Sequence, residues 1–273
     1  MIAAGESLFA SLFPGNCRLC NAPLARIRRI PVCEVCQQAI HSLEGSVCSI
    51  CGERLLGEPA PERRCLECIR FARPFARAVA YGSYEGELRA LIHLLKYQRV
   101  RPAAAVLGRM LAESVAGLLE ESTDGSAVVI PIPLHRAKQR QRGFNQTELI
   151  ARAMVEHLYV PGLKLEVSVL RRCRMTESQT GLTRSQRRRN VRGAFTIQNP
   201  GTIAGRDILL VDDVFTTGTT VSECARLLRR AGAARVWVAT VARVIKREAI
   251  FIQVREQPAM KSEPAELRAA AEA

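Results

Sequence analysis

Residues 208–220 read Ile-Leu-Leu-Val-Asp-Asp-Val-Phe-Thr-Thr-Gly-Thr-Thr, and few folds can place that order of side chains. The apolar run Ile208 to Val211 suits a strand buried on both faces of a parallel sheet. Asp212 and Asp213 follow at once, so they are expected at the carboxyl end of that strand, the end at which open α/β sheets bind ligands. Thr216, Thr217, Gly218, Thr219 and Thr220 come next, ahead of a helical pattern of Val221, Ala225, Leu227 and Leu228. A loop of hydroxyls and one glycine at a helix N-terminus presents backbone N–H groups that suit a phosphate. Acceptors for sugar hydroxyls thus stand beside donors for a phosphate, the pattern of a ribose-phosphate site. The plain alternative is a buried strand ending in a polar turn. An ATPase strand ending in acids is excluded in its usual P-loop form, because the dipeptide Gly-Lys occurs nowhere.

The run from Asp212 to Thr220 resembles the phosphoribosyl-diphosphate motif of type I phosphoribosyltransferases, in particular their ComF/GntX-like branch. The resemblance implies that Asp212 and Asp213, as the catalytic pair, hold the ribose 2′- and 3′-hydroxyls. It implies that Thr216 to Thr220 cradle the 5′-phosphate, and that phosphoribosyl diphosphate arrives with Mg²⁺. Two further stretches carry the likeness. Ala127 to Pro133 reads as a second buried strand ended by proline, leading into a loop from His135 to Gln146. The run Pro-x-Pro-Leu followed by Arg142-Gly-Phe-Asn-Gln146 is similar to the ComF family, whose loop here receives the diphosphate. Arg136, Lys138, Arg140 and Arg142 suit anionic oxygens, Gly143 permits close backbone approach, and Asn145 and Gln146 complete the loop. A solvated basic loop is the competing reading.

The third stretch is Leu170 to Phe195, where the family carries a flexible catalytic loop that closes over the diphosphate. The likeness rests on Arg172, Thr176, Gln179, Leu182, Arg187, Asn190 and Phe195. Eight arginines in this stretch face a single acid, Glu177. One diphosphate cannot use them all, so Arg187, Arg188 and Arg189 suggest a salt-sensitive track for a nucleic-acid backbone. A lid alone, or solvated charge, remains open. The formal charge of +14 agrees with a polyanionic partner, although a scattered basic surface would give the same sum.

Eight of the ten cysteines form four Cys-x-x-Cys pairs: Cys17/Cys20, Cys33/Cys36, Cys48/Cys51 and Cys65/Cys68. Two such turns complete a closed tetrahedral Cys₄ zinc site. Cys17-Arg-Leu-Cys-Asn-Ala-Pro-Leu24 is echoed by Cys48-Ser-Ile-Cys-Gly-Glu-Arg-Leu55, which indicates two consecutive zinc ribbons, paired either in sequence or crossed. Two structural zinc ions would supply folding energy that so short a stretch lacks. Whether the ribbons touch nucleic acid stays open, because the aromatic interleaving that single strands favour is missing. Cys224 reads as a core residue and Cys173 as incidental.

The expected organisation is a double zinc ribbon over residues 15–72, an α/β domain with a parallel sheet of type I phosphoribosyltransferase kind over 75–247, and a frayed tail over 248–273. Ala76 to Ser83 reads as the opening strand, Tyr84 to Tyr97 and Pro102 to Leu119 as helices, and Arg235 to Ala242 as a further strand. Lys96-Tyr97 matches a pair found in ComF-like proteins, though a lysine at a helix end is ordinarily a favourable terminal charge. No apolar run approaches a membrane span. Residues 1–15 lack a secretory pattern, and Leu8, Phe9, Leu12 and Phe13 are expected to pack on the following module. The expected location is the cytoplasm, up to the inner face of the membrane. Two functions follow: an enzyme transferring phosphoribose to an acceptor, or a ligand-binding scaffold that handles single-stranded DNA in natural transformation beside a helicase-like ATPase, as the resemblance implies.

Overall fold

The computed structural model describes residues 15–24, 29–57, 62–122, 127–176 and 183–245. The expectations for Leu8 to Phe13, Glu177, Gln179, Leu182 and the tail lie outside these residues. Two short helices, α1 (Glu34–Gln38) and α2 (Leu66–Arg70), come first, each starting directly after a cysteine. The paired bridges Asn16↔Pro23 and Val47↔Arg54 carry the sequence echo into the backbone. Then follow β1 (Arg77–Ser83), α3 (Gly86–Tyr97), α4 (Ala103–Leu119) and β2 (Val128–Pro131). Next are α5 (Arg136–Arg142), α6 (Gln146–Leu158), β3 (Lys164–Leu165), β4 (Leu170–Arg172) and α7 (Arg184–Val191). The chain closes with β5 (Phe195–Ile197), β6 (Asp207–Phe215), α8 (Thr219–Arg230) and β7 (Arg235–Arg243).

Five strands form one sheet in the order β1-β7-β6-β2-β3, every pair parallel. Side chains alternate across it with the period of two that a strand imposes. Leu209 and Val211 of β6, with Trp237, Ala239 and Val241 of β7, face one core; Ile208, Leu210, Val236 and Val238 face the other. Helices α3, α4 and α6 fill the first core and α8 the second. Fully burying one such aliphatic side chain stabilises the fold by about 1.5–3 kcal/mol. The cysteine clusters divide the same way: Cys17 and Cys36 belong to the first core, and Cys48, Cys51 and Cys68 to the second. The two ribbon halves therefore pack against opposite faces of the sheet.

Strand β1 lies at the sheet edge, where unpaired N–H and C=O groups invite pairing with another chain. Ribbon backbone covers it: Ala78 N–H donates to the Ile50 carbonyl at 2.8 Å, and Leu43 N–H to the Tyr81 carbonyl at 2.6 Å.

Two expectations need correction. The stretch from His135 to Gln146 is not simply a loop. Ala, Lys, Gln and Arg are strong helix formers, and Arg136–Arg142 make two turns that Gly143 ends at φ +86°, a left-handed cap that suits glycine. Residues 170–195 also hold regular structure. β4 and β5 pair antiparallel, with Arg172 opposite Phe195, and α7 opens on a reciprocal capping box between Thr183 and Gln186.

Candidate functional site

β6 runs on to Phe215, so Asp212 and Asp213 lie within the strand rather than beyond it. The reason is its unequal neighbours. β2 stops pairing at Pro131 opposite Val211, because prolines 131 and 133 cannot donate to a ladder. β7 continues alongside to Arg243 opposite Phe215. From Asp212 onward β6 has one free edge, and the acids stand where the sheet opens.

Four segments bring groups to this opening. The ammonium of Lys96, from the last turn of α3, sits 2.7 Å from Asp213 Oδ1. Gln146, the first residue of α6, donates through Nε2 to Asp213 Oδ2 at 2.5 Å. Arg142 donates in turn to Gln146 Oε1 and lies 5.7 Å from the centre of the Tyr97 ring. Arg172 of β4 is close enough for its charge to act on Asp212. Burial and the adjacent Asp213 charge push the Asp212 carboxyl up to about 7, although Lys96 and Arg172 pull the other way. Burial works against the Lys96 ammonium, yet attraction and a hydrogen bond to Asp213 outweigh it and hold its pKa above the ordinary value. Lys138 is shifted downward by burial and by the neighbouring Arg172 and Arg142. Basic groups thus crowd toward one acid pair, an arrangement suited to an anion beside a diol.

The Thr/Gly loop follows directly. Thr216 is exposed, and the Thr217 and Thr219 hydroxyls lie 2.8 Å apart. Gly218 caps α8 at φ +72°, and a Cβ there would stand 2.5 Å from the Phe215 ring, so both backbone and space require glycine. Thr219 and Thr220 are the first residues of α8, so the loop leads directly into a helix N-terminus.

The other sequence candidates distribute unevenly. Arg136 and Arg140 are exposed on α5. Asn145 is buried and spent on structure: it donates to the Ile132 carbonyl at 3.2 Å and accepts from the Thr147 hydroxyl at 2.7 Å, capping α6. Arg172 donates to the Thr176 hydroxyl. Arg187 and Asn190 are half-buried, while Arg188 and Arg189 are exposed. Cys224 is buried in the second core and Cys173 is exposed, as their sequence contexts suggest.

Arg188 and Arg189 belong to a separate feature, a cleft of about 660 Å³ between α2, α7 and α8. Arg70 and Arg73 line it from the second ribbon, Arg188, Arg189 and Arg192 from α7 and its end, and Arg226 and Arg230 from α8; Glu223 is the one acid among them. Thr217 and Thr219 of the Thr/Gly loop also line it. Phe71 is 48% exposed there, with the Arg188 guanidinium 5.4 Å from its ring centre. The sequence did not mark Phe71 as an aromatic among the basic residues.

Both cysteine groups close up in sequential pairing: Cys17, Cys20, Cys33 and Cys36 in one, and Cys48, Cys51, Cys65 and Cys68 in the other, with sulfurs within 4.8 Å of one another. The crossed alternative is excluded. Backbone N–H groups aim at the sulfurs as they do at thiolates, Cys33 to Cys17 at 3.3 Å and Cys65 to Cys48 at 3.3 Å. Burial opposes ionisation of Cys17, but the amides of Cys20, Cys33 and Leu19 outweigh it and bring the thiol down to about 6. Four soft donors at tetrahedral spacing fit a structural metal ion.

Lys96 is the residue that sequence reading undervalued. Its helix-end position hid a reach across to β6, and the likeness of Lys96-Tyr97 was the only signal.

Comparison with known proteins agrees with this layout. A model of the phosphoribosyl transferase domain matches residues 148–250, from α6 past β7. "DNA utilization protein YhgH" of Salmonella typhimurium is 34% identical over 85% of this chain and 98% of its own. "Competence protein F" of Haemophilus influenzae is 29% identical over 85% and 99%, and "Competence protein ComFC" of Bacillus subtilis 24% identical over 74% and 80%. With a parallel sheet opening at an acid pair, two four-cysteine clusters ahead of it, and relatives matched over nearly their whole length, the chain belongs to the ComF/GntX-like family of phosphoribosyltransferase-fold proteins.

Proposed function

We propose that this protein binds phosphoribosyl diphosphate with Mg²⁺ in the opening beside Asp212 and Asp213, and that it handles single-stranded DNA along the arginine cleft. The observation that carries the reading is shared lining: Thr217 and Thr219, which follow the acid pair along the chain, also line the basic cleft. In this reading the carboxylates accept the ribose hydroxyls, the N-terminus of α8 takes the 5′-phosphate, and Lys138, Arg142 and Arg172 face the diphosphate. Mg²⁺ would neutralise diphosphate charge when bound. Transfer of phosphoribose to an acceptor needs no covalent nucleophile, so the same groups would serve catalysis by stabilising the leaving diphosphate. The two ribbons hold structural zinc. The names of two relatives, a DNA utilization protein and a competence protein, support the DNA half of the reading, and a helicase-like ATPase is the protein partner expected with it.

The test is calorimetric titration with phosphoribosyl diphosphate and Mg²⁺. Wild type should bind, and the Asp212→Ala/Asp213→Ala double variant should not; a wild type that gives no heat at any temperature and no protection on melting sinks the pocket reading. The DNA half is tested by anisotropy with oligothymidylate. Arg188→Ala/Arg189→Ala/Arg192→Ala should weaken binding and cut the salt slope by about 2, at roughly 0.7 per lost phosphate contact on a single strand. An unchanged slope would remove the cleft from the reading.

A further inference from the structure

The second cysteine cluster and the Thr/Gly loop meet through one side chain, Arg243, that no motif marks. Arg243 ends β7 and is 2% exposed, a burial that a guanidinium tolerates when its charge is paired; its two terminal nitrogens are engaged, while Nε has no hydrogen-bond partner among the described residues. Its Nη2 lies 2.7 Å from Glu53 Oε2, and Nη1 donates to the carbonyl of Cys51, itself a member of the cluster. The guanidinium also lies 4.7 Å from the centre of the Phe215 ring. Phe215 stands opposite Arg243 in the β6–β7 ladder, and its carbonyl accepts from Val244 N–H at 2.9 Å. The same ring fills the space beneath Gly218, so closely that a Cβ could not enter. Cys51, Arg243, Phe215 and Gly218 therefore form an unbroken line of contacts from a metal site to the N-terminus of α8.

Sheet stability alone does not call for this arrangement. An apolar residue at the end of a buried strand would serve packing as well, and replacing a buried ion pair by well-packed apolar groups is often neutral or stabilising. What the guanidinium adds is a three-way junction, with a ribbon carbonyl and carboxylate on one side and the platform of the loop on the other.

We propose that Arg243 is a positioning residue that makes the anion affinity of the Thr216–Thr220 loop depend on metal loading of the second cysteine cluster. The inference rests on reading that loop as the 5′-phosphate seat. With the metal bound, the Cys48–Cys51 turn is fixed and holds the Cys51 carbonyl on Nη1; the guanidinium then fixes the Phe215 ring under Gly218 and orients the first N–H groups of α8. With the metal lost, the turn relaxes and the loop loses its platform. By reciprocity, an anion in the loop tightens metal retention at that cluster. The first cluster packs in the opposite core and is not part of this line.

The experiment uses the full zinc-loaded chain, as wild type, Arg243→Met, Arg243→Lys, Glu53→Gln and Cys65→Ser. Two quantities are read: amide hydrogen exchange over residues 215–224, and affinity for ribose 5-phosphate against inorganic diphosphate with Mg²⁺. Arg243→Met should speed exchange over 215–224 and weaken ribose 5-phosphate by about tenfold, a typical coupling between sites, while diphosphate affinity and exchange in α4 stay unchanged. Cys65→Ser should do the same. Glu53→Gln should give a smaller loss, and Arg243→Lys, which keeps the ion pair but not the flat stack, should recover part of the affinity. A folded Arg243→Met variant with unchanged exchange and unchanged ribose 5-phosphate affinity overturns the proposal, as does a loss shared equally with diphosphate or with α4. If Arg243→Met does not fold, Glu53→Gln decides by the same criteria. A wild type that ignores ribose 5-phosphate removes the phosphate-seat reading, and the exchange measurement then decides the coupling by itself.

Discussion

Asp212 and Asp213 are adjacent carboxylates in one strand, and their neighbours treat them differently. Asp213 receives Lys96 and Gln146, whereas burial and the charge beside it push the Asp212 carboxyl up to about 7. Between the ordinary aspartate value and about 7 the folded chain keeps a proton that the unfolded chain releases. Folding stability therefore falls as pH rises across that window, and it is flat above it. Asp212→Asn should flatten the slope, which melting curves from pH 4 to 8 would read. Ligand binding should run the opposite way. A ribose diol donates best to ionised carboxylates, so affinity for phosphoribosyl diphosphate is expected to rise through pH 7 in wild type and to level out in Asp212→Asn. Lys96 gives a second prediction at this scale. Lys96→Met leaves a buried carboxylate without its cation, at a cost of about 3 kcal/mol, and adding Asp213→Asn should restore most of it. Urea denaturation of the two single variants and the double variant would measure that coupling; additive losses would mean that the pair is not a unit.

Gly218 shows how an element depends on one position. Alanine there meets both a left-handed backbone and the Phe215 ring at 2.5 Å. Gly218→Ala should cost about 1–3 kcal/mol of strain and lower affinity for ribose 5-phosphate more than for diphosphate; equal losses in calorimetry would show that the loop does not hold the 5′-phosphate. The elements nearest the motifs were legible in sequence for physical reasons. Ile208 to Val211 is the short apolar run of a doubly buried strand, and the four Cys-x-x-Cys turns have the spacing of metal ligands. Contacts between distant segments were not legible. Periodicity places Lys96 on a helix end but says nothing of the strand its ammonium reaches, and Arg243 looks like any charge closing a strand. The structural part that Asn145 plays was hidden for a related reason. Its motif context suggested a ligand contact, whereas β2 and α6 needed its amide to cap the turn between them. The short helix α5 escaped notice because its basic residues drew attention to charge rather than to helix propensity.

At the scale of the whole molecule, the cysteine clusters share the cores of the sheet that they flank. Removing metal from both should lower one cooperative melting transition rather than remove a separate early one, and calorimetry with and without chelator would check it; two resolved transitions would mean that the ribbons fold by themselves. The sheet order has a consequence for how the chain is made. β1 lies beside β7, with Arg77 opposite Trp237, so the strand synthesised first waits for the strand synthesised last. During that wait β1 would present an open edge, the feature most prone to pairing with a neighbouring chain. The ribbons precede it in the sequence and hold the other edge of β1 through Leu43 and Ile50. Ribbons that fold first would thus leave β1 with one open edge instead of two, the edge that only β7 takes.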